Sequence, residues 1–288
     1  MKTNEKNEGR VLFRYGALCA LEKLPERYPV TLCGDIAEVT KLAAEAGAEA
    51  IELHIRDPIR YRSAELSAAA GAHGLSFAAI TTGLEYVLNG LNLISDDKES
   101  RKKAVKRLME HIDLAEKIEC PAIVIGVMRG NIPDFDRYEE YEGRLTDAVL
   151  ELSDYAEKRH VGLLIEGINR YVANYLCSVS ETLRYIEKIN RRNVRIHIDT
   201  HQMNIEESNF VKAIVACAGR LGYVHFSDNN RACPGGGNID FLPVLKALHE
   251  ISYDGFIGIE GTESAPGTGI LKASIEMMRE LENRIIRS

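Results

Sequence analysis

The chain has 288 residues, of which 45% are hydrophobic and 27% charged, and its formal net charge is −7. This composition suits one domain with a sizeable core, and the acidic balance argues against a nucleic-acid partner held by phosphate contacts. No apolar run approaches the ~18 residues of a membrane span, and the polar start lacks the apolar core of a signal peptide. We therefore expect a cytoplasmic protein with no membrane partner. Its six cysteines form no close pair, so they are predicted to be reduced.

The N-terminal half of the chain alternates strand-like and helical runs. Residues 1–10 are predicted to be a disordered tail, followed by a weak first strand at 11–18. The clearest helix is 96–118, because its apolar residues recur on one face. Further strands are predicted at 50–55, 75–80 and 122–127, and further helices at 35–46, 64–72 and 137–159.

In the C-terminal half, four strand-like runs each end on a side chain that can bind a metal. The gaps between these residues are 33, 26 and 35 positions, and each gap is about the length of one βα unit. The four residues are Glu166, Asp199, His225 and Glu260. Strands are predicted at 162–166, 194–199, 223–226 and 255–260, and helices at 180–189, 206–218, 241–251 and 270–285.

Eight strand-like runs alternating with eight helical runs predict a (β/α)₈ TIM barrel, a single α/β domain over residues 11–288. Continuous apolar strands such as AIVIGV are typical of parallel strands that are covered on both faces. The alternative is a doubly wound open sheet. The even alternation, and the absence of G-x-G-x-x-G after the first strand, favour the closed barrel.

The four strand-end residues can all face the barrel axis, because alternate residues of a strand point to the same side. Three carboxylates and an imidazole are ligands that Mg²⁺, Mn²⁺, Co²⁺ or Zn²⁺ accept, and three converging carboxylates are costly without a cation. One such residue alone could form a surface salt bridge instead, but four at successive strand ends favour a metal site. His197 is predicted to lie one layer below Asp199 as a hydrogen-bonded core histidine.

Several segments of the chain resemble the D-tagatose 3-epimerase-like family, a branch of the xylose isomerase-like TIM barrels. The likeness covers nearly the whole chain, including the run TTGLEYVLNGLNLIS and the strand exit IGVMRG. The segments that carry it most specifically are EGINRY, DTHQMNIEE, HFSDNNRACPGGGNIDF and YDGFIGIE.

The resemblance implies roles for particular residues of this chain. The metal ligands would be Glu166, Asp199, His225 and Glu260, with Glu166 and Glu260 also acting as the catalytic acid and base, and Arg231 would contact oxygens of the substrate. The metal, expected to be Mn²⁺, would hold a sugar's carbonyl and neighbouring hydroxyl. One glutamate would remove a proton to give a cis-enediolate, and the other would return a proton on the opposite face. Members of the family tend to form dimers or tetramers, so a homodimer or homotetramer is expected.

The chain departs from the family pattern at three positions. Val172 replaces a loop glutamate, Gln202 replaces a histidine, and Asn238 replaces another histidine. Gln202 keeps hydrogen-bonding groups and is a candidate substrate contact, although it cannot carry a proton at neutral pH. The loss of a carboxylate and an imidazole suggests a different or longer substrate, or different chemistry on the same metal site.

Other residues were weighed as lesser candidates. Glu52 and His54, near the end of the second strand, are predicted substrate contacts at the barrel mouth, where for His54 a plain surface position is the alternative. Arg129, in the loop after the fourth strand, could contact a carboxylate or hydroxyl, but a solvated loop arginine is the simpler expectation. The glycine run 235–237 could indicate a phosphate site, but a tight turn is the simpler interpretation.

The main hypothesis is a metal-dependent epimerase or isomerase of a ketose or keto-sugar without phosphate. A lyase that cleaves a keto-glycoside on the same metal site is the first alternative. A nuclease of the endonuclease IV type would need more histidines than the eight present and a basic groove. A non-catalytic sugar-binding protein is disfavoured because both glutamates of the proposed acid/base pair are present.

Overall fold

Eight parallel strands close into a barrel, which confirms the predicted (β/α)₈ TIM fold. A computed structural model describes residues 11–24, 28–262 and 268–287, so the tail predicted at 1–10 lies outside the described residues. The strands pair in chain order and the last pairs with the first. A two-residue strand, Leu32–Cys33, adds to β1. The strands are β1 (Arg14–Ala20), β2 (Ala50–His54), β3 (Ser76–Thr81), β4 (Ala122–Ile125), β5 (Gly162–Glu166), β6 (Val194–Asp199), β7 (Leu221–Phe226) and β8 (Phe256–Ile259).

Helices surround the barrel in the described part of the chain. They are α1 (Ile36–Glu45), α2 (Ser63–Ala72), α3 (Leu84–Asn89), α4 (Lys98–Lys117), α5 (Tyr138–Glu157), α6 (Val179–Ile189), α7 (Thr200–Glu206), α8 (Phe210–Ala216), α9 (Phe241–Glu250) and α10 (Gly269–Ile286). Within these residues no helix is both long enough and apolar enough to cross a membrane.

Two helical segments differ from the prediction. The helix predicted at 206–218 is the shorter α8, and a separate helix, α7, forms before it where no helix was predicted; each of the two has its own N-cap. Asp199 accepts a hydrogen bond from the amide of His201, and Asn209 accepts one from the amide of Lys212. The short helix α3 was not predicted, because six residues between glycines carry little periodic signal.

The inside of the barrel is filled by a small apolar cluster below the mouth. Its members come from β2 to β5 and β7, and small alanines face the larger side chains of Leu164 and Tyr223. The outer faces of the strands pack against the helices in a second, larger core. Because the interior is plugged, polar side chains can collect only above it, at the carboxyl ends of the strands. The inner cluster consists of Ala50, Ala78, Ala79, Ala122, Val124, Leu164 and Tyr223.

Candidate active site

The four strand-end residues predicted from the sequence meet at the mouth of the barrel. Glu166 and Asp199 are the last residues of β5 and β6, His225 is the fifth residue of β7, and Glu260 follows β8 directly. Ligand atoms of Asp199, His225 and Glu260 lie within 4.8 Å of one another, and so do those of Glu166, His197 and His225. His225 therefore belongs to both groups and joins Glu166 to the other two carboxylates.

His197 is buried, as the sequence predicted, but the predicted hydrogen bond is wrong, because neither ring nitrogen makes one in the described part of the chain. The register of the strands pairs Glu166 with His197, and the His197 ring stands edge-on to that of His225 with centroids 4.2 Å apart. The prediction counted positions along one strand. In a barrel, however, neighbouring strands are staggered, so a residue two positions before the end of one strand can pair with the last residue of its neighbour.

A buried carboxylate orients His225. Its Nε2 lies 2.7 Å from Oε2 of Glu52, while the other Glu52 oxygen accepts a hydrogen bond from the hydroxyl of Thr81. Burial acts to raise the pKa of Glu52, but the neighbouring histidines His225 and His54 bring it well below its usual value. An ionised Glu52 requires a proton on Nε2, so Nδ1 is the nitrogen left for another partner. That Nδ1 faces Oε2 of Glu260 at 3.5 Å.

Glu52 is therefore not the substrate contact that the sequence predicted. Its side chain is fully buried, it is absent from the cavity wall, and both carboxylate oxygens are engaged within the protein. The alternation of side chains along β2 correctly placed it on the inner face. The sequence could not show that the Glu52 carboxylate would be paired with a histidine on β7, 173 positions later in the chain.

Arg231 joins two of the carboxylates. Its Nη1 pairs with Asp199, and its Nη2 lies 2.9 Å from Oε2 of Glu260. Burial acts to raise the pKa of Asp199, but Arg231 and His225 lower it below its usual value. Arg231 holds a left-handed backbone conformation, with φ of 67°, in the loop after β7. Arg231, which the resemblance predicts to contact substrate oxygens, thus lies between two of the carboxylates at the mouth of the barrel.

Glu166 has no such cationic partner at hydrogen-bonding distance among the described residues. Its pKa is raised to about 8, first by burial and then by the negative charges of Asp199 and Glu260. His225 Nδ1 is buried without a hydrogen-bond partner in the described part of the chain, and Glu260 Oε2 has only its ion pair with Arg231. Carboxylate oxygens and a free imidazole nitrogen are atoms that can bind a divalent cation. A cation would also offset the cost of ionising the buried carboxylate of Glu166. The residues that would hold it are Glu166, Asp199, His225 and Glu260.

Beside these residues lies a cavity of about 310 Å³ with two unlike halves. The half formed by the exits of β5 to β8 is polar, whereas the half formed by the exits of β1 to β4 is largely apolar. The polar half includes Glu166, Asn169, His201, Gln202, His225, Arg231 and Glu260, and the other half includes Tyr28, Pro29, His54, Thr81, Val87 and Val127.

The predicted contacts Gln202 and His54 both line this cavity. The side-chain oxygen of Gln202 accepts hydrogen bonds from the backbone and side-chain amides of Asn169, which fixes the loop after β5. Val172 lies at the rim and is 53% exposed. The cavity wall is therefore apolar at the position where the resemblance predicts a glutamate.

Arg129 is buried, so the expected solvated arginine is wrong. Its guanidinium donates to the carbonyl of Glu166 at 2.9 Å and to that of Gly126 at 3.2 Å. It also donates to the carbonyls of Tyr175 and Leu176. The arginine thereby ties the exit of β4 to the loop that begins at Glu166. Nothing local in the sequence distinguishes it from a solvated loop arginine, because its partners lie 37 to 47 positions later.

A larger depression, of about 600 Å³, lies at the opposite end of the barrel. It is lined by strand starts and surface residues such as Arg14, Arg195 and Asp254. No group of potential metal ligands lies there among the described residues, and the carboxyl-end cavity is the one that adjoins the carboxylates.

Comparison with known proteins agrees with this architecture. The chain is 29% identical to a ketose 3-epimerase of Arthrobacter globiformis, over 82% of this chain and 81% of that protein. It is 26% identical to a 3-dehydro-D-guloside 4-epimerase of Escherichia coli, over 57% of this chain and 65% of that protein. The solved structure of an L-ribulose 3-epimerase superposes with a TM-score of 0.82 at 23% identity, covering 96% of both chains. Residues 40–281 match a family described as Xylose isomerase-like TIM barrel. With this match over most of its length, the chain belongs to the xylose isomerase-like TIM barrel family.

Proposed function

We propose that the chain is a divalent-metal-dependent epimerase of a ketose or keto-sugar that carries no phosphate. The observation that carries the proposal is the convergence of Asp199, His225 and Glu260, with ligand atoms within 4.8 Å of one another, beside the carboxylate of Glu166. The likeness to proteins named as sugar epimerases supports the same reaction. Mn²⁺ is the ion we expect.

Two carboxylates on different strands are what an inversion of configuration requires. Glu166 ends β5 and Glu260 follows β8, so the two enter the cavity from separate sides of the barrel mouth. A bound divalent cation would polarise the substrate's carbonyl and acidify the adjacent C–H bond. One glutamate then takes the proton from that carbon, which leaves a flat enediolate. The other, in its acid form, returns a proton to the opposite face of the same carbon, and Arg231 offers hydrogen bonds to the oxygens.

The electrostatics of the cavity support a substrate without phosphate. Arg231 is the only arginine or lysine on the described wall, and it is already paired with two carboxylates. The glycine run after β7 offers no anion site, because Asp228 accepts hydrogen bonds from the amides of Gly235 and Ile239. A carboxylate thus occupies the place that a phosphate would need.

A second candidate is a keto-sugar with a substituent, acted on by a 4-epimerase or by a lyase. The exposed Val172 at the rim favours it, because an apolar wall can accept a larger group where a carboxylate would bind hydroxyls. The Escherichia coli relative, named as a 3-dehydro-D-guloside 4-epimerase, acts on a substrate of this kind. The homodimer or homotetramer and the cytoplasmic location remain predictions.

Proton exchange with solvent tests the reaction. Protein stripped with a chelator and reloaded with Mn²⁺ should convert a ketose to its epimer in D₂O, with deuterium incorporated at the inverted carbon and nowhere else. NMR of the recovered sugar measures both events, and a 3-keto-glycoside incubated in parallel separates the second candidate. Epimerisation that is unaffected by the chelator, or product without deuterium, would contradict the proposed mechanism.

A glycine beside Glu166 allows the position of that carboxylate to be tested. A Cβ added at Gly126 would lie 2.5 Å from Oε2 of Glu166, so Gly126→Ala must displace the carboxylate. We expect kcat/KM to fall about 100-fold, with a weaker affinity for the cation. Gly143→Ala is the matched control, because nothing lies within 4 Å of the added methyl in α5. The control should keep full activity and gain about 0.5–1 kcal/mol in stability. Equal activity of the two variants would contradict this role for Glu166.

A further inference from the structure

One polar side chain on the apolar half of the cavity lacks a partner. His54 is 2% exposed, and neither of its ring nitrogens makes a hydrogen bond in the described part of the chain. The nearest charged oxygen, Oε1 of Glu52, is 3.5 Å from its Nε2 and accepts a hydrogen bond from Thr81 instead. A buried imidazole without a partner is unfavourable in a folded protein, and this one lines the cavity.

The neighbours of His54 hold its ring in place. The Tyr28 ring packs edge-on against it, with ring centroids 5.6 Å apart. The chain that follows His54 is anchored, because the amide of Arg56 donates to Glu22 and Asp57 pairs with Arg107. The imidazole is thus a preorganised hydrogen-bonding group, which can recognise a ligand atom without first being ordered.

The position of His54 in the barrel determines which part of a substrate it can reach. It ends β2, whereas Glu166 and Asp199 end β5 and β6 across the closed sheet, and Glu260 follows β8, which is separated from β2 by β1 alone. The groups around it on the cavity wall include Pro29, Val87 and Val127, which offer no side-chain hydrogen bonds. Because all three residues line one cavity, a sugar whose reacting carbons lie against Glu166 and Glu260 can place its remaining carbons beside His54.

We propose that His54 determines specificity by hydrogen-bonding one hydroxyl of the sugar beyond the reacting carbons, in a region that is largely apolar. The inference rests on the proposed function for the orientation of the sugar. The substrate class that follows is a keto-sugar with one recognised hydroxyl at its distal end and few others there. Substrates with a hydrogen or an uncharged substituent at the other distal positions are accepted, because the other hydrogen-bonding side chains on this part of the described wall are few: Thr81, which already donates to Glu52, and Tyr28.

Single-deoxy sugars test the proposal with the Mn²⁺-loaded full chain. The probes are D-fructose and its 4-, 5- and 6-deoxy derivatives, and the measurements are binding by calorimetry and epimerisation by NMR. In the unchanged protein, one derivative should bind at least about tenfold more weakly than D-fructose. In His54→Phe that difference should disappear, since the hydrogen bond is already lost, and His54→Gln should restore part of it. Tyr28→Phe, on the same wall, should keep the discrimination.

The outcomes separate this inference from the proposed function. Binding with discrimination but without epimerisation would remove the proposed function and keep the role of His54. A uniform loss of binding for all four sugars in His54→Phe, with the same loss in His54→Gln, would overturn the role, because it indicates a structural effect. Unchanged discrimination in His54→Phe, or no binding of any probe by the unchanged protein, would also overturn it. Metal content and Tm of each variant show whether the site is still formed.

Discussion

Glu166→Gln and Glu260→Gln should each lower the rate of epimerisation by about 10²–10⁴-fold, the usual contribution of a positioned acid or base. Glutamine keeps the size of the side chain and one oxygen, but it cannot take or give a proton in the reaction. Since inversion needs proton transfer on both faces of a flat intermediate, losing either carboxylate blocks the complete reaction.

The two variants should differ in the partial reaction that each one retains. With one carboxylate intact, the protein should still exchange the C–H proton of one epimer with D₂O without forming the other epimer. Glu166→Gln and Glu260→Gln should therefore label opposite members of an epimer pair, as measured by NMR. Metal content must be determined for both variants, since each residue is also a proposed ligand.

Glu206→Gln is the matched control for this experiment. The Glu206 carboxylate lies at the end of α7 and pairs with Arg170 outside the cavity. It should keep the activity of the unchanged protein. Full epimerisation by either Glu166→Gln or Glu260→Gln, at normal metal content, would exclude the two-carboxylate mechanism.

Glu52→Gln should weaken the affinity for the divalent cation by about 10–100-fold, the usual cost of losing a carboxylate behind a histidine ligand. Glu52 holds Nε2 of His225 at 2.7 Å, which directs Nδ1 towards the proposed cation. A neutral glutamine can still accept the hydrogen bond, so the fold should survive. The His225 ring is then less strongly fixed, however, and its imidazole is a weaker ligand for the cation. Competition with a fluorescent chelator measures the affinity without relying on activity.

Glu49→Gln provides a control with the same loss of charge at the other end of the same strand. Glu49 precedes β2, and its carboxylate pairs with Arg279 at the base of the barrel. This variant should bind the cation as the unchanged protein does, although the lost ion pair should lower its stability. An unchanged affinity in Glu52→Gln would show that His225 either is not a ligand or is oriented without Glu52.

The sequence was most informative where local rules and spacing were sufficient. Apolar strands at regular intervals predicted the closed barrel, because parallel strands joined by helices have few other arrangements. The same regularity led to Glu166, Asp199, His225 and Glu260, since in such a barrel the strand ends meet at one mouth. It was less informative between strands, where the short helices α3 and α7 were missed and α8 was predicted too long.

By itself, then, the sequence determined the fold class and which side chains could reach the mouth of the barrel. Only the tertiary structure decided how those side chains are paired: Glu52 with His225, His197 level with Glu166, and Arg129 buried under the loop after β5. It also left His54 without a partner on the cavity wall. The physical reason is that periodicity and strand ends are properties of nearby residues. Hydrogen-bond partners and burial in a barrel depend instead on strand stagger and closure, which bring together residues as far apart as the 173 positions between Glu52 and His225.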